Sequence, residues 1–289
     1  MTAATRLRAR LTDGDLLIAP GVPDALAARL VERAGFSAVY ASGGAIARSR
    51  GYPDLGLLTM SEVLEQLRPI VDAVTIPVIA DADTGYGNAL NVHRTVQEFS
   101  AVGVAALHLE DQESPKRCGH LNDKTLISGS EMVEKLRAAV DARGEDGPLL
   151  IARTDAIAVE GLEAALERAL RYREAGADVL FVEAPESEEQ VEAIAARLPG
   201  AKLINMFFGG KTPLVPAQRL EAMGYTIMII PSDLQRAAMR AMTDTLAAIS
   251  RDGDGQAMAD RMVSFDEREE IVGTADLLDL SERYRTPPD

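Results

Sequence analysis

Short apolar runs recur along the chain, and between them the apolar residues fall at helical spacing. The runs occupy residues 16–19, 38–41, 77–80, 105–109, 149–152, 178–182, 202–206 and 225–230, and most are rich in Val, Ile or Leu. Unbroken apolar runs, as opposed to alternating ones, suit strands buried on both faces of a parallel sheet. Segments 24–34, 61–74, 91–102, 131–143, 162–175 and 188–197 carry the pattern of amphipathic helices. Gly35, Gly103, Gly176 and Gly224 stand at expected helix stops. Eight strand–helix units with no linker between them predict an α/β fold, a (β/α)8 TIM-type barrel. An open doubly wound sheet would carry a Gly-rich phosphate loop after its first strand, and residues 19–23 do not form one. Residues 232–250 and 256–284 read as further helices. The expectation is one barrel domain over 1–289, with 232–289 as a C-terminal helical extension packing on a neighbouring subunit.

Barrels of this kind place their chemistry where strands end and loops begin. The second run ends in Tyr40-Ala41-Ser42-Gly43-Gly44, the third in Asp81-Ala82-Asp83 and the fourth in His108-Leu109-Glu110-Asp111. The fifth ends in Arg153-Thr154-Asp155, the sixth in Glu183 and the seventh in Asn205. A charged or amide group delivered to one rim by strand after strand points to a binding site. Asp81 and Asp83 are two apart and point the same way. Their charges repel unless a cation holds them or one is protonated. Glu110 comes from the adjacent strand, about 5 Å away, and Asp54 lies in the loop after the second run. Hard oxygen ligands fit Mg²⁺, or Mn²⁺, better than Zn²⁺. On spacing alone, the same acids capping helices or pairing with Arg153 is an equal alternative.

The loop 111–124 is long enough to act as a lid. Within it, Cys118 is flanked by Lys116, Arg117 and His120. Neighbouring cations lower a thiol's pKa, so Cys118 is expected to exchange protons near neutral pH. Gly119 lets the backbone approach a ligand closely.

Composition narrows the partners. With 45 acidic against 30 basic residues, net −15, the surface repels nucleic acid and anionic membranes. An anionic substrate then needs local Arg, Lys or metal. Aromatics are 4% of the chain and Trp is absent, so the core is aliphatic. One cysteine forms no intrachain disulfide, which indicates a reducing compartment and a cytoplasmic protein. No apolar run approaches the ~20 residues of a membrane span. Residues 1–10 carry Arg6, Arg8 and Arg10 and no acid. Such a start suits an organellar transit peptide, but the stretch is short and Ser-free. With Leu7 and Leu11 four apart, a first amphipathic helix is the preferred reading.

Lys116-Arg117-Cys118-Gly119-His120 resembles the signature loop of the isocitrate lyase / phosphoenolpyruvate mutase superfamily. Ser42-Gly43-Gly44, Tyr52-Pro53-Asp54-Leu55-Gly56, Asp81-Ala82-Asp83-Thr84-Gly85-Tyr86-Gly87-Asn88 and His108-Leu109-Glu110-Asp111-Gln112 extend the likeness. Ile151-Ala152-Arg153-Thr154-Asp155-Ala156 and Gly210-Lys211-Thr212-Pro213 complete it, over about residues 15–250. It is closest to 2-methylisocitrate lyase and carboxyphosphonoenolpyruvate phosphonomutase-like members. The resemblance implies a Mg²⁺-dependent enzyme, a tetramer, that cleaves a carbon–carbon bond next to a 2-oxo acid. Asp83 would contact the metal most directly, with Asp54, Asp81 and Glu110 helping through water. Ser42, Gly43 and Gly44 would bind the 2-oxo acid carboxylate. Arg153 would bind the oxygens at the reacting end, and Cys118 would protonate the carbanion. Gly119, His120, Glu183 and Asn205 would line the pocket, and Arg236 would hold a second carboxylate. Tyr40 and Glu183 are the candidates for accepting the hydroxyl proton.

The chain departs from the family pattern at Phe208, where a Glu is expected. An apolar wall there would suit an alkylated substrate such as 2,3-dimethylmalate over 2-methylisocitrate. The alternative is that Phe208 packs under its loop. Phosphonomutase and oxaloacetate decarboxylase or hydrolase chemistry on the same scaffold are the competing activities. The Cys-Gly-His loop argues against the latter.

Overall fold

The computed structural model describes residues 1–12 and 14–285. Eight parallel strands close into a barrel in chain order. They are β1 (Leu17–Val22), β2 (Val39–Ala41), β3 (Val78–Asp81), β4 (Ala106–Glu110), β5 (Leu149–Thr154), β6 (Val179–Val182), β7 (Ala201–Asn205) and β8 (Ile227–Ile230). Closure pairs Leu17 with Ile227 and Pro20 with Ile230. β1 runs further than its apolar run because Pro20 and Gly21 continue it. Gly21 permits this, since a Cβ there would lie 2.5 Å from the Pro231 backbone.

Strand alternation sorts each side chain. Val39, Leu107, Leu109, Leu150, Ala152, Leu180 and Val182 face outward and join the large core beneath the helices. Leu17, Ile79, Ala106, Leu149, Ile151, Val179, Leu203 and Ile227 face inward and fill the lower barrel. Following the inward rows toward the carboxyl ends, apolar residues give way to Asp81, His108, Glu110, Arg153, Glu183 and Asn205, all buried. The polar rim is thus the upper layer of the barrel's own interior.

The predicted helices form, with ends set by local chemistry. Asp24 caps Ala25–Arg33 through Ala27 N–H, Thr59 and Glu62 form a capping box on Met60–Asp72, and Asn88 caps Ala89–Val102. Helix Ala3–Thr12 lays Ala4 and Leu7 against Leu17, Ala38, Ala105 and Leu149, closing the amino-terminal end of the barrel. Short helices Gly43–Ser49, Ile157–Glu160 and Ala217–Ala222 lie outside the predicted segments. They are too short to show a full amphipathic period.

The chain divides into two compact units, Met1–Gln235 and Arg236–Asp289. Helix Asp233–Asp252 runs from the first into the second. The rest of the second unit is a 3-10 turn (Gln256–Arg261) and helices Phe265–Val272 and Thr274–Arg283. It buries Ala248, Met258 and Ile271, and it exposes Leu246, Leu277, Leu278 and Tyr284. No described helix is long and apolar enough to cross a membrane.

Candidate active site

The rim residues converge on a cavity of about 120 Å³ at the carboxyl end of the barrel. All five expected catalytic side chains, Tyr40, Cys118, His120, Arg153 and Glu183, line it. So do Ser42, Gly44, Gly119, Asn205, Asp54 and Asp81.

The acids occupy one side. Asp81 Oδ2 accepts hydrogen bonds from Tyr40 Oη and Gly43 N–H, each at 3.2 Å, and Asp81 Oδ1 accepts Asp83 N–H at 3.0 Å. Burial pushes Asp81 up, but nearby positive charge, from His108 when protonated and then Lys116 and Arg153, outweighs it and leaves the carboxyl at about 2. Burial drives His108 itself toward neutral imidazole. Its Nε2 lies 2.8 Å from Tyr40 Oη and 3.3 Å from Asp81 Oδ1. Asp83 is raised to about 6 by burial and by the charges of Asp81 and Asp54. Lys116 stands between Asp54 and Asp83, 2.5 Å from the first and 3.0 Å from the second. Both sequence-level answers to carboxylate crowding are therefore present: a cation between the acids, and acids displaced toward protonation.

Glu110 is fully buried behind this rim, and among the described residues none donates a hydrogen bond to either carboxylate oxygen. Arg153 Nη1 lies 3.3 Å away, and burial holds the carboxyl well above its usual range. Ligand atoms of Asp81, His108 and Glu110 lie within 4.8 Å of one another, a grouping able to hold a metal ion. A buried carboxylate without donors fits such an ion. His108 was not among the expected ligands. It lies two residues before Glu110 on β4, so the same alternation that paired Asp81 with Asp83 also turns it inward. Asp83 and Gly43 face a second, much smaller cavity beside the first.

The opposite side is built around Arg153. Its Nε and Nη2 donate to Asp155 at 2.9 and 3.1 Å, and the guanidinium lies 5.3 Å from the Phe181 ring centre. Glu183 Oε1 accepts from Asn205 Nδ2 at 3.2 Å and lies 2.8 Å from His120 Nε2. His120 Nδ1 accepts Lys211 N–H at 3.0 Å, which leaves the imidazole proton on Nε2, facing Glu183. Burial pushes Glu183 up, but Arg153 and the His120 hydrogen bond outweigh it and keep it ionised. Gly119 packs directly on this pair: a Cβ would fall 2.5 Å from Arg153 Nη2 and from Glu183 Cγ.

Two expectations need revision. The Cys118 thiol is not lowered. Burial, then the Asp54 carboxylate, pushes it up to about 11. Lys116 is already matched by two carboxylates, and the Arg117 side chain is half exposed, so neither cation stabilises a thiolate enough. Phe208 is 67% exposed, and it is Phe207 that lines the cavity, packed edge-on against His120 with ring centres 4.6 Å apart. Arg236 is exposed.

Residues 7–250 match the phosphoenolpyruvate phosphomutase family. The chain is 44% identical to 2,3-dimethylmalate lyase of Eubacterium barkeri over 99% of both chains. It is 44% identical to 2-methylisocitrate lyase of Aeropyrum pernix over 93% of this chain and 87% of that protein. A crystal structure of 2,3-dimethylmalate lyase, a PEP mutase/isocitrate lyase superfamily member, superimposes with a TM-score of 0.93 at 38% identity, covering 98% of this chain and 95% of that one. The barrel, the acidic rim and the Cys-Gly-His loop are accordingly those of a member of the phosphoenolpyruvate mutase / isocitrate lyase superfamily, to which this chain belongs.

Proposed function

We propose that the chain is a divalent-metal-dependent carbon–carbon lyase that cleaves a 2-hydroxy dicarboxylate or tricarboxylate, of the 2,3-dimethylmalate or 2-methylisocitrate type, to a 2-oxo acid and a carboxylate. One observation carries the reading: Cys118, Arg153, Glu183 and Asp81 line one cavity, with Gly119 packed directly against Arg153 and Glu183. Similarity to 2,3-dimethylmalate lyase over the full length, and the apolar lining from Phe207 and Ile229, favour the alkylated dicarboxylate.

Asp81, Glu110 and His108, with Asp83 and Asp54, would hold Mg²⁺ or Mn²⁺; the imidazole nitrogen suits Mn²⁺ better than Mg²⁺. The ion would supply Lewis-acid stabilisation of negative charge on the 2-oxygen. Ser42, Gly43 and Gly44 seat the adjoining carboxylate. Of the two candidates for the hydroxyl proton, burial and Asp81 keep Tyr40 a neutral phenol. Glu183 is ionised, and its Oε2 accepts no hydrogen bond. Glu183 therefore takes the proton. The C2–C3 bond breaks, and its electron pair passes to C3 and the attached carboxylate, where Arg153 balances the charge. Cys118, protonated throughout the neutral range, gives its proton to C3. For 2,3-dimethylmalate the products are pyruvate and propionate. Asn205 and His120 hold Glu183, and the loop excludes water.

The same reading gives a cytoplasmic homo-oligomer, a tetramer, with no nucleic-acid or membrane partner. The exposed leucines of the C-terminal helices support packing against a neighbouring subunit. The test is incubation with 2,3-dimethylmalate, 2-methylisocitrate, oxaloacetate and phosphonopyruvate in Mg²⁺, with both products identified by NMR. Pyruvate with propionate from 2,3-dimethylmalate, abolished by EDTA and restored by Mg²⁺ or Mn²⁺, is expected. Preferential turnover of oxaloacetate or phosphonopyruvate, or activity indifferent to EDTA, would overturn the assignment.

A further inference from the structure

The loop that carries Cys118 leaves the barrel through a narrow neck. Ile127 N–H donates to Asp111 O at 3.0 Å, Glu113 N–H to Thr125 O at 2.9 Å, and Gln112 bridges Leu126. Higher up, Gln112 Nε2 donates to Arg117 O at 2.8 Å, and Gln112 Oε1 accepts Arg117 N–H at 2.9 Å. These bonds shape the loop without fixing its tip to the barrel wall. Cys118 N–H to Asp54 O at 3.2 Å and His120 to Glu183 at 2.8 Å tie the tip itself, and two buried lysines add a tie on each side of Cys118-Gly119-His120. Lys116 reaches the acidic rim. Lys124 reaches the other side, and nothing in the proposed chemistry uses it.

The Lys124 side chain is 1% exposed. It donates to the Gly119 carbonyl and, at 3.0 Å, to Asp155 Oδ1. Asp155 is fully buried, clamps Arg153 through two hydrogen bonds, and is anchored in turn by its own N–H to Asp111 at 3.0 Å. A buried ammonium holds such a place only where its charge and donors are matched. Here one partner is the wall carboxylate that orients Arg153, and the other is the backbone of the glycine that leaves no room for a Cβ against Arg153 and Glu183.

We propose that Lys124 is a positioning residue, the latch that holds the Cys118 loop closed by tying the Gly119 carbonyl to Asp155. Closure and guanidinium alignment then share one carboxylate. When the loop lifts, Asp155 loses a cation and Arg153 is held less firmly. When it seats, the thiol and Arg153 come into register together. The catalytic consequence rests on the lyase reading; the latch itself does not.

The test uses the full chain as Lys124→Met and Lys124→Gln, with folding checked by thermal melts. Loss of a charge-assisted bond should raise the rate of Cys118 alkylation by iodoacetamide about tenfold or more in Lys124→Met. Trypsin should cut after Arg117 correspondingly faster, and kcat should fall by a larger factor than KM changes. Lys124→Gln, which keeps an N–H donor without the charge, should fall between. Wild-type alkylation and cleavage in folded Lys124→Met would overturn the latch. Failure of both variants to fold would assign Lys124 to global stability and overturn it equally. A wild-type chain that turns over no candidate substrate would refute the lyase reading alone, because alkylation and cleavage need no turnover.

Discussion

Alkylation of Cys118 isolates the proton-donor assignment, because the chain has a single cysteine. In EDTA no metal ion acts on the thiol, and burial, then the Asp54 carboxylate, place it at about 11. At about pH 8 the thiolate fraction is then on the order of 0.001, against roughly 0.24 for a thiol of ordinary pKa, about 8.5. That ratio of about 240 overstates the effect, since a more basic thiolate is also more nucleophilic. A Brønsted slope of about 0.45 over about 2.5 pKa units returns a factor of roughly 13. Iodoacetamide should therefore modify Cys118 about 20-fold more slowly than an unperturbed peptide cysteine, before any steric protection by the loop. The sign of the pH dependence follows. Below the folded value the thiol is the dominant form, so the rate should climb about tenfold per unit from about pH 7 to 10 without levelling. Mass spectrometry of short reactions at each pH measures it. A plateau near neutrality would mean that Lys116, Arg117 and His120 do stabilise a thiolate, and the group would no longer serve as the resting acid.

Gly119→Ala places a methyl 2.5 Å from Arg153 Nη2 and Glu183 Cγ. Displacing either group by a fraction of an ångström should lower kcat by about 100-fold while the melting temperature holds; turnover within about threefold of wild type would show that the loop yields instead of the catalytic pair. Leu7→Ala removes a fully buried side chain from the helix closing the barrel floor. It should cost about 2–5 kcal/mol in urea unfolding, and a loss below about 1 kcal/mol would mean that helix Ala3–Thr12 is not part of the cooperative core.

Strand order and the polar rim were legible in the sequence because both follow from alternation on short buried strands. Asp81, Glu110, Arg153, Glu183 and Asn205 each end an apolar run, and closure of the barrel turns that one-dimensional fact into convergence. His108 obeys the same rule and could have been read from its place two residues before Glu110. The loop was different. Its composition showed three basic residues around a thiol, which suggests a lowered pKa. The outcome turns on what each group meets: Lys116 pairs with Asp54 and Asp83, the His120 imidazole is held between Lys211 N–H and Glu183, and the Arg117 side chain is half exposed. Burial then acts on the thiol with little opposition. Spacing likewise put Phe208 at the pocket where the structure has Phe207, because the two are adjacent and a turn, unlike a strand, has no fixed alternation. Charge pairing over long separations decides the first case, and periodicity carries no record of it. For the same reason Lys124 looks like a solvated lysine in an exposed loop until Asp155, 31 residues further on, is seen to receive it. Identities at the ends of regular elements report chemistry directly, while identities in long loops report it only after their partners are known.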